Sequence, residues 1–221
     1  MGGLTPVRLL VVDDDPLVRS ALVLMLGGQP DLTVVGEASD GREALRKVDE
    51  LRPGVVLMDI RMPRMSGLEA TRALHQRPDP PHVIVLTTFD ADDHVLGALA
   101  AGADGFLLKD TPPPQILEAI RAVADGDPML SPSVTRTLIA RIRDEPGDDR
   151  AELARVRLGV LTGREQDVAL AVGRGLTNAE IAHELHLSVP TVKAHVSRLF
   201  DKLQVTNRVQ IAICVHDAGL V

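Results

Sequence analysis

The sequence predicts an α/β domain, a doubly wound five-stranded parallel sheet of order 2-1-3-4-5, followed by a small all-α domain. Three observations carry this. From Val7 to about Gly126, short apolar runs alternate five times with segments of helical spacing, joined by connections of a few residues. From Leu161 onward the spacing is helical only. Between them Pro128, Pro132, Pro146, Gly147 and the charged run Arg143 to Arg157 break the pattern. At 221 residues, two compact units and a linker are expected: residues 1–127, a linker over 128–160, and residues 161–221.

The elements follow in order. Val7 to Val12 is an apolar strand, and Asp15-Pro16 starts a helix through Leu26, the carboxylate capping free amides and proline tolerated at the first helical position. Thr33 to Ala38 is the second strand. Asp40-Gly41 opens a helix with Ala44, Leu45, Val48 and Leu51 on one face, ended by Pro53 and Gly54. Val55 to Met58 forms a buried strand ending in Asp59, and Pro63 and Gly67 turn the chain before helical spacing resumes at Leu68. His82 to Leu86 is a strand followed by a helix from about Asp92 to Ala101. Gly105 to Leu108 is the fifth strand, and Pro112 to Pro114 start a helix that ends near Gly126. Parallel strands need crossovers, so helices cover both sheet faces. In 128–160, Val134, Leu138, Ile139 and Ile142 suit one amphipathic helix; the rest reads as flexible linker.

The order 2-1-3-4-5 brings four strand ends to one edge, where open α/β sheets place their ligands. The runs end in Asp13-Asp14-Asp15, Asp59, Thr87-Thr88 and Lys109. Crowded carboxylates at Asp13, Asp14 and Asp59 repel unless a divalent cation sits among them. Mg²⁺ suits such a site, preferring hard oxygens with one or two carboxylates, waters and a phosphoryl oxygen. A carboxylate held there can attack phosphorus and form an acyl phosphate, with Lys109 and the metal offsetting charge and Thr87 donating its hydroxyl. Asp59 is the expected phosphoacceptor.

Composition narrows the classes. Trp and Tyr are absent and Phe89, Phe106 and Phe200 are the only aromatics, which argues against base recognition by stacking. Cys214 is the single cysteine, excluding an internal disulfide framework. No apolar run approaches membrane-spanning length and the start is unlike an export signal, so a cytoplasmic protein is expected. The formal charge of −7 is uneven: residues 1–127 hold 12 basic and 20 acidic side chains, whereas 161–221 hold 6 of each. Any affinity of the helical part for phosphates then depends on local placement.

That helical part divides into Arg164 to Gly173, Asn178 to Leu185, Val189 to Leu203 and Asn207 to Asp217. Thr177 and Ser188 are N-caps, and Thr177 with Glu180 makes a capping box. Two helices joined by the tight turn Leu187-Ser188 form a helix-turn-helix. Val192, Val196, Leu199 and Leu203 make the inward stripe of the third helix. Lys193, Ala194, Ser197 and Arg198 then face outward, toward a major groove. Thr177, Asn178, Thr191, Lys202 and Arg208 are candidates for phosphate contacts. Val209, Ile213 and Val215 exceed what a small core needs and predict a homodimer, which reads paired half-sites.

The set VVDDDP, MDIRMPRMSG, VLTTF and AGADGFLLKD, from Val11 to Asp110, resembles the receiver domain of two-component response regulators, of the same kind as the chemotaxis regulators. LTGREQDVALAVGRGLTNAEIAHELHLSVPTVKAHVSRLFDKLQVTNR is similar to the LuxR-type helix-turn-helix, and the order of the two is that of the NarL/FixJ class. The resemblance implies that Asp59 accepts phosphate from a sensor histidine kinase. It implies that Asp14, Asp59 and the backbone carbonyl of Arg61 hold Mg²⁺, with Asp13 reaching it through water. Thr87 and Lys109 would sense the phosphoryl group, and Phe106 would take the aromatic switch position. The implied product is a transcription factor on double-stranded DNA. Asp110, where many receivers carry proline, Thr88, where a small residue is common, and Gly163, in place of proline or a polar residue, depart from the pattern.

Two other readings compete. An aspartyl-nucleophile phosphatase of the haloacid-dehalogenase type requires a second Asp two residues on, where this chain has Arg61. A regulator that works without phosphate would not need the full set of acidic, hydroxyl and lysine positions. His183-Glu184-Leu185-His186 misses metalloprotease spacing, because Leu187 stands where the second histidine belongs.

Overall fold

A computed structural model describes residues 6–87, 97–127, 129–130 and 148–221, and the chain divides into two compact units, residues 1–135 and 136–221. Thr88, Phe89, the first part of the helix expected from Asp92, and the apolar set Val134, Leu138, Ile139 and Ile142 lie outside the described residues.

In the first unit the strands are β1 (Val7–Val12), β2 (Leu32–Ala38), β3 (Val55–Asp59), β4 (His82–Thr87) and β5 (Gly105–Leu108). They pair in the order β2-β1-β3-β4-β5, all parallel, as expected. A two-residue strand β6 (Met129–Leu130) adds to β5, inside what the sequence reads as linker. The helices are α1 (Pro16–Leu26), α2 (Gly41–Leu51), α3 (Gly67–His75), the helical residues 97–100 (α4) and α5 (Pro113–Ala124).

The central strands are buried on both faces, as their unbroken apolar runs require: every residue from Val55 to Asp59 is buried. Leu9, Val11, Leu57, Ile84 and Leu107 pack with Ile116 and Ile120 of α5 on one side. Helix starts are fixed by side chains. Asp15 accepts from the Leu17 amide at 2.8 Å, Asp40 from the Glu43 amide at 3.0 Å, and Ser66 forms a capping box with Glu69.

The second unit holds α6 (Asp148–Leu158), α7 (Gly163–Gly173), α8 (Asn178–Glu184), α9 (Val189–Leu203) and α10 (Arg208–Asp217). Helix α6 corrects the linker reading. Its Ala154 and Leu158 join the core formed by Val168, Val172, Ile181, Leu199, Ile211 and Val215, while Leu153 and Val156 stay exposed. Five apolar residues scattered among charges leave no clean stripe for a sequence pattern to find. Val192, Val196, Leu199 and Leu203 are buried along α9 as expected. Among the described residues no helix is long and apolar enough to cross a membrane.

Candidate functional site: an acidic pocket and a helix-turn-helix

Register places the acidic residues side by side. Val12 of β1 pairs with Met58 of β3, so Asp13 and Asp59, each one residue further on, emerge together at the carboxyl edge. Asp59 pairs with Leu86 and Thr87 with Leu108, which sets Thr87 and Lys109 along the same edge. The Lys109 amide donates to the Thr87 carbonyl at 2.7 Å. Asp13, Asp59 and Thr87 are buried and Asp14 is exposed. Carboxylate oxygens of Asp13, Asp14 and Asp59 lie within 4.8 Å of one another.

Lys109 balances this charge. Its Nζ stands 2.7 Å from Asp13 Oδ2 and 2.9 Å from Asp59 Oδ1. Burial pushes the Asp59 carboxyl above the usual range; the Lys109 ammonium opposes that, and the Asp13 carboxylate adds to it. Burial works against the Lys109 charge, yet its bonds to Asp13 and Asp59 prevail and hold its pKa above the ordinary value.

Further hydrogen bonds surround these groups. Asp13 Oδ1 accepts from the Asp15 amide at 3.0 Å, and Arg19 Nη1 donates to the Asp13 carbonyl at 2.7 Å. The loop after β3 folds back through the Gly67 amide, which donates to the Ile60 carbonyl at 2.9 Å. Arg61 is exposed in that loop, and Phe106 is fully buried in β5. No cis peptide occurs among the described residues.

The donor set fits a hard divalent cation. Asp13 Oδ2 is buried and, beyond its ion pair with Lys109, has no hydrogen bond of ordinary geometry. Three carboxylates facing one ammonium leave negative charge that Mg²⁺ coordination suits.

In the second unit Thr191, Ala194, Ser197 and Arg198 are exposed on α9, and Lys193 is half-buried. The Ser197 hydroxyl donates to the Lys193 carbonyl at 3.1 Å, and the Thr177 hydroxyl donates to Glu180 at 2.9 Å within the capping box. Two expected phosphate ligands are placed otherwise. Asn178 and Arg208 are buried, with Arg208 Nη1 donating to Asn178 Oδ1 at 2.7 Å. Lys202, though exposed, donates to buried Glu165 at 2.7 Å. A polar residue type reads as surface in a sequence; here Asn178 and Arg208, 30 residues apart, draw each other inward, while Lys202 stays at the surface and engages a partner 37 residues away. Val209 is buried within its own unit, correcting its assignment to a dimer face, while Ile213 is half-exposed.

A family model of the response regulator receiver domain matches residues 9–121, and one of the LuxR family of bacterial regulatory proteins matches residues 159–215. The chain belongs to the response regulators of the LuxR/NarL type. Its relatives are transcriptional regulators. The regulator is 39% identical to the transcriptional regulatory protein LiaR of Bacillus subtilis over 97% of this chain and 99% of LiaR. It is 35% identical to the nitrate/nitrite response regulator NarL of Escherichia coli K12 over 98% of both chains. The crystal structure of ChrA, a response regulator of a heme-sensing two-component system, superposes with a TM-score of 0.54 at 33% identity, covering 99% of this chain and 100% of ChrA. The regulator is therefore a DNA-binding member of a two-component system.

Proposed function

We propose that Asp59 is phosphorylated by a sensor histidine kinase in a Mg²⁺-dependent reaction, and that the phosphorylated regulator dimerises and binds paired DNA half-sites. The observation that carries this is the pairing of Asp59 Oδ1 with Lys109 Nζ at 2.9 Å beside two further carboxylates.

An Asp59 oxygen attacks the phosphorus of the kinase phosphohistidine. The new O–P bond forms as the P–N bond breaks, and the imidazole leaves with the electron pair. Asp14, Asp59 and the Arg61 carbonyl would hold the metal directly and Asp13 through water; bound there, Mg²⁺ offsets charge on the phosphoryl oxygens. Lys109 follows the new charge, exchanging its bond to the carboxylate for one to a phosphoryl oxygen. Thr87 donates its hydroxyl to another oxygen, and buried Phe106 repacks with it. That two-state change in the receiver increases the population of the DNA-binding dimer.

On the DNA, Lys193, Ala194, Ser197 and Arg198 enter the major groove and Thr177 and Thr191 face the phosphates, with Ile213 contributing to the dimer contact. The phosphatase reading gains nothing from the pocket, since Arg61 stands where an acid/base carboxylate is needed. Incubation of the full chain with acetyl phosphate tests the first half. Intact mass should rise by one phosphoryl group with Mg²⁺, and not without it or in Asp59→Ala. A phosphoryl adduct on Asp59→Ala would refute the assignment.

A further inference from the structure

Arg208 begins α10 and Asn178 begins α8, and both side chains are more than nine-tenths buried. Arg208 Nη1 donates to Asn178 Oδ1 at 2.7 Å, and Nη2 donates to the Leu176 carbonyl. Leu176 lies in the turn before α8, directly after Gly175, which takes a left-handed φ of 79°. One planar guanidinium thus grips two points of the α7–α8 turn. Its own backbone follows Asn207, whose buried side chain caps α10 by accepting from the Gln210 amide at 3.0 Å.

Burying a guanidinium is costly, and apolar side chains of similar volume would hold two helices together at least as well. What the rigid fork adds is direction, because two parallel donors fix the angle between the elements they join. The joined elements here are functionally distinct. Helix α8 is the first helix of the helix-turn-helix and packs on the recognition helix α9, whereas α10 carries Ile213, the proposed dimer contact.

We propose that Arg208 and Asn178 are positioning residues that lock the helix-turn-helix to the dimerisation helix, thereby setting the separation of the two recognition helices across a DNA-bound dimer. This rests on the paired half-site reading given above. The pair makes no demand on DNA contact itself. It acts through geometry, so its loss should relax half-site spacing before it weakens one half-site.

The test uses the full phosphorylated chain and duplexes that it selects from a random pool, re-synthesised as single half-sites and as pairs with inserted base pairs. All binding is measured below the melting onset of each variant. Arg208→Gln and Asn178→Ala should bind the optimal pair about tenfold more weakly, the equivalent of one charged hydrogen bond. They should tolerate altered spacing and keep wild-type affinity for a single half-site. Asn178→Asp, which retains the acceptor, should keep the spacing preference. Val168→Ala, a cavity elsewhere in the same core, should lower the melting temperature and leave spacing preference intact. The proposal is overturned if Arg208→Gln keeps the wild-type preference, or loses single and paired sites equally. A wild-type chain indifferent to spacing would remove the half-site reading itself, and the proposal with it.

Discussion

The backbone of Gly67 lies against the carbonyl of Asp59: a Cβ at Gly67 would stand 1.9 Å from that oxygen and 3.0 Å from the Met58 side chain. No side chain fits, so the end of β3 and the start of α3 approach as closely as they do only with glycine there. Gly67→Ala must push the Asp59 backbone away. Thermal melting should show a loss of about 1–3 kcal/mol, typical of overpacking, and phosphorylation by acetyl phosphate should slow. Unchanged kinetics would mean that the carboxylate position is not set by this contact.

Lys109 is the cation that keeps two buried carboxylates together. In Lys109→Met the pocket retains its negative charge without an internal partner, which breaking a buried pair makes costly. On the metal-dependent reading proposed above, Mg²⁺ would bind only the folded pocket and stabilise it by mass action. Added Mg²⁺ should therefore raise the melting temperature of Lys109→Met more than that of the wild type, as read by calorimetry with and without chelator. An equal shift in both would separate the lysine from the metal site.

Glu165 ties α7 to α9. It accepts from Lys202 Nζ at 2.7 Å and from the Thr162 amide and hydroxyl, each at 2.8 Å, which together hold its carboxyl at about 2 against an ordinary 4.5. The folded state thus binds its proton less readily than the unfolded state. Its stabilising contribution is fully present above pH 4.5 and is lost as pH falls through about 2. Acid titration of the melting temperature should fall steeply over that window in the wild type and less steeply in Glu165→Gln. Parallel curves would contradict the assignment.

Much of this was legible in the primary structure because the central strands are buried on both faces and therefore read as unbroken apolar runs. Where such a run stops, at Asp13, Asp59, Thr87 or Lys109, the chain leaves the core, and the parallel order aligns those exits. The capping residues Asp15, Asp40, Thr177 and Ser188 were legible for the same local reason. What escaped was non-local. Gly67 signals a turn, and nothing nearby in sequence says that the Asp59 carbonyl fills the space its side chain would need. Asn178 and Arg208 look like surface groups until it is known that they meet each other across 30 residues, and nothing local says that Lys202 engages Glu165. Helix α6 hides because, among its described side chains, only Ala154 and Leu158 join the core cluster, while charged residues surround them.

Ile213 lies half-exposed in a groove between α6 and α10, beside Leu153, Gln210 and Cys214. Ile213→Asp would bury a charge in any contact made there. The variant should fold with unchanged helix content and bind DNA as one chain per site rather than two, as measured by sedimentation of the complex. A retained stoichiometry of two would move the dimer contact elsewhere.

The central claim joins the acidic pocket to the DNA. Its most direct test is the affinity of the full chain for a selected paired-site duplex, measured by fluorescence anisotropy before and after acetyl phosphate treatment in Mg²⁺, with Asp59→Ala in parallel. Phosphorylation should tighten wild-type binding about tenfold or more, within the range of ordinary allosteric coupling, and leave Asp59→Ala unmoved. Equal affinity of the phosphorylated and unphosphorylated wild-type chains would contradict it.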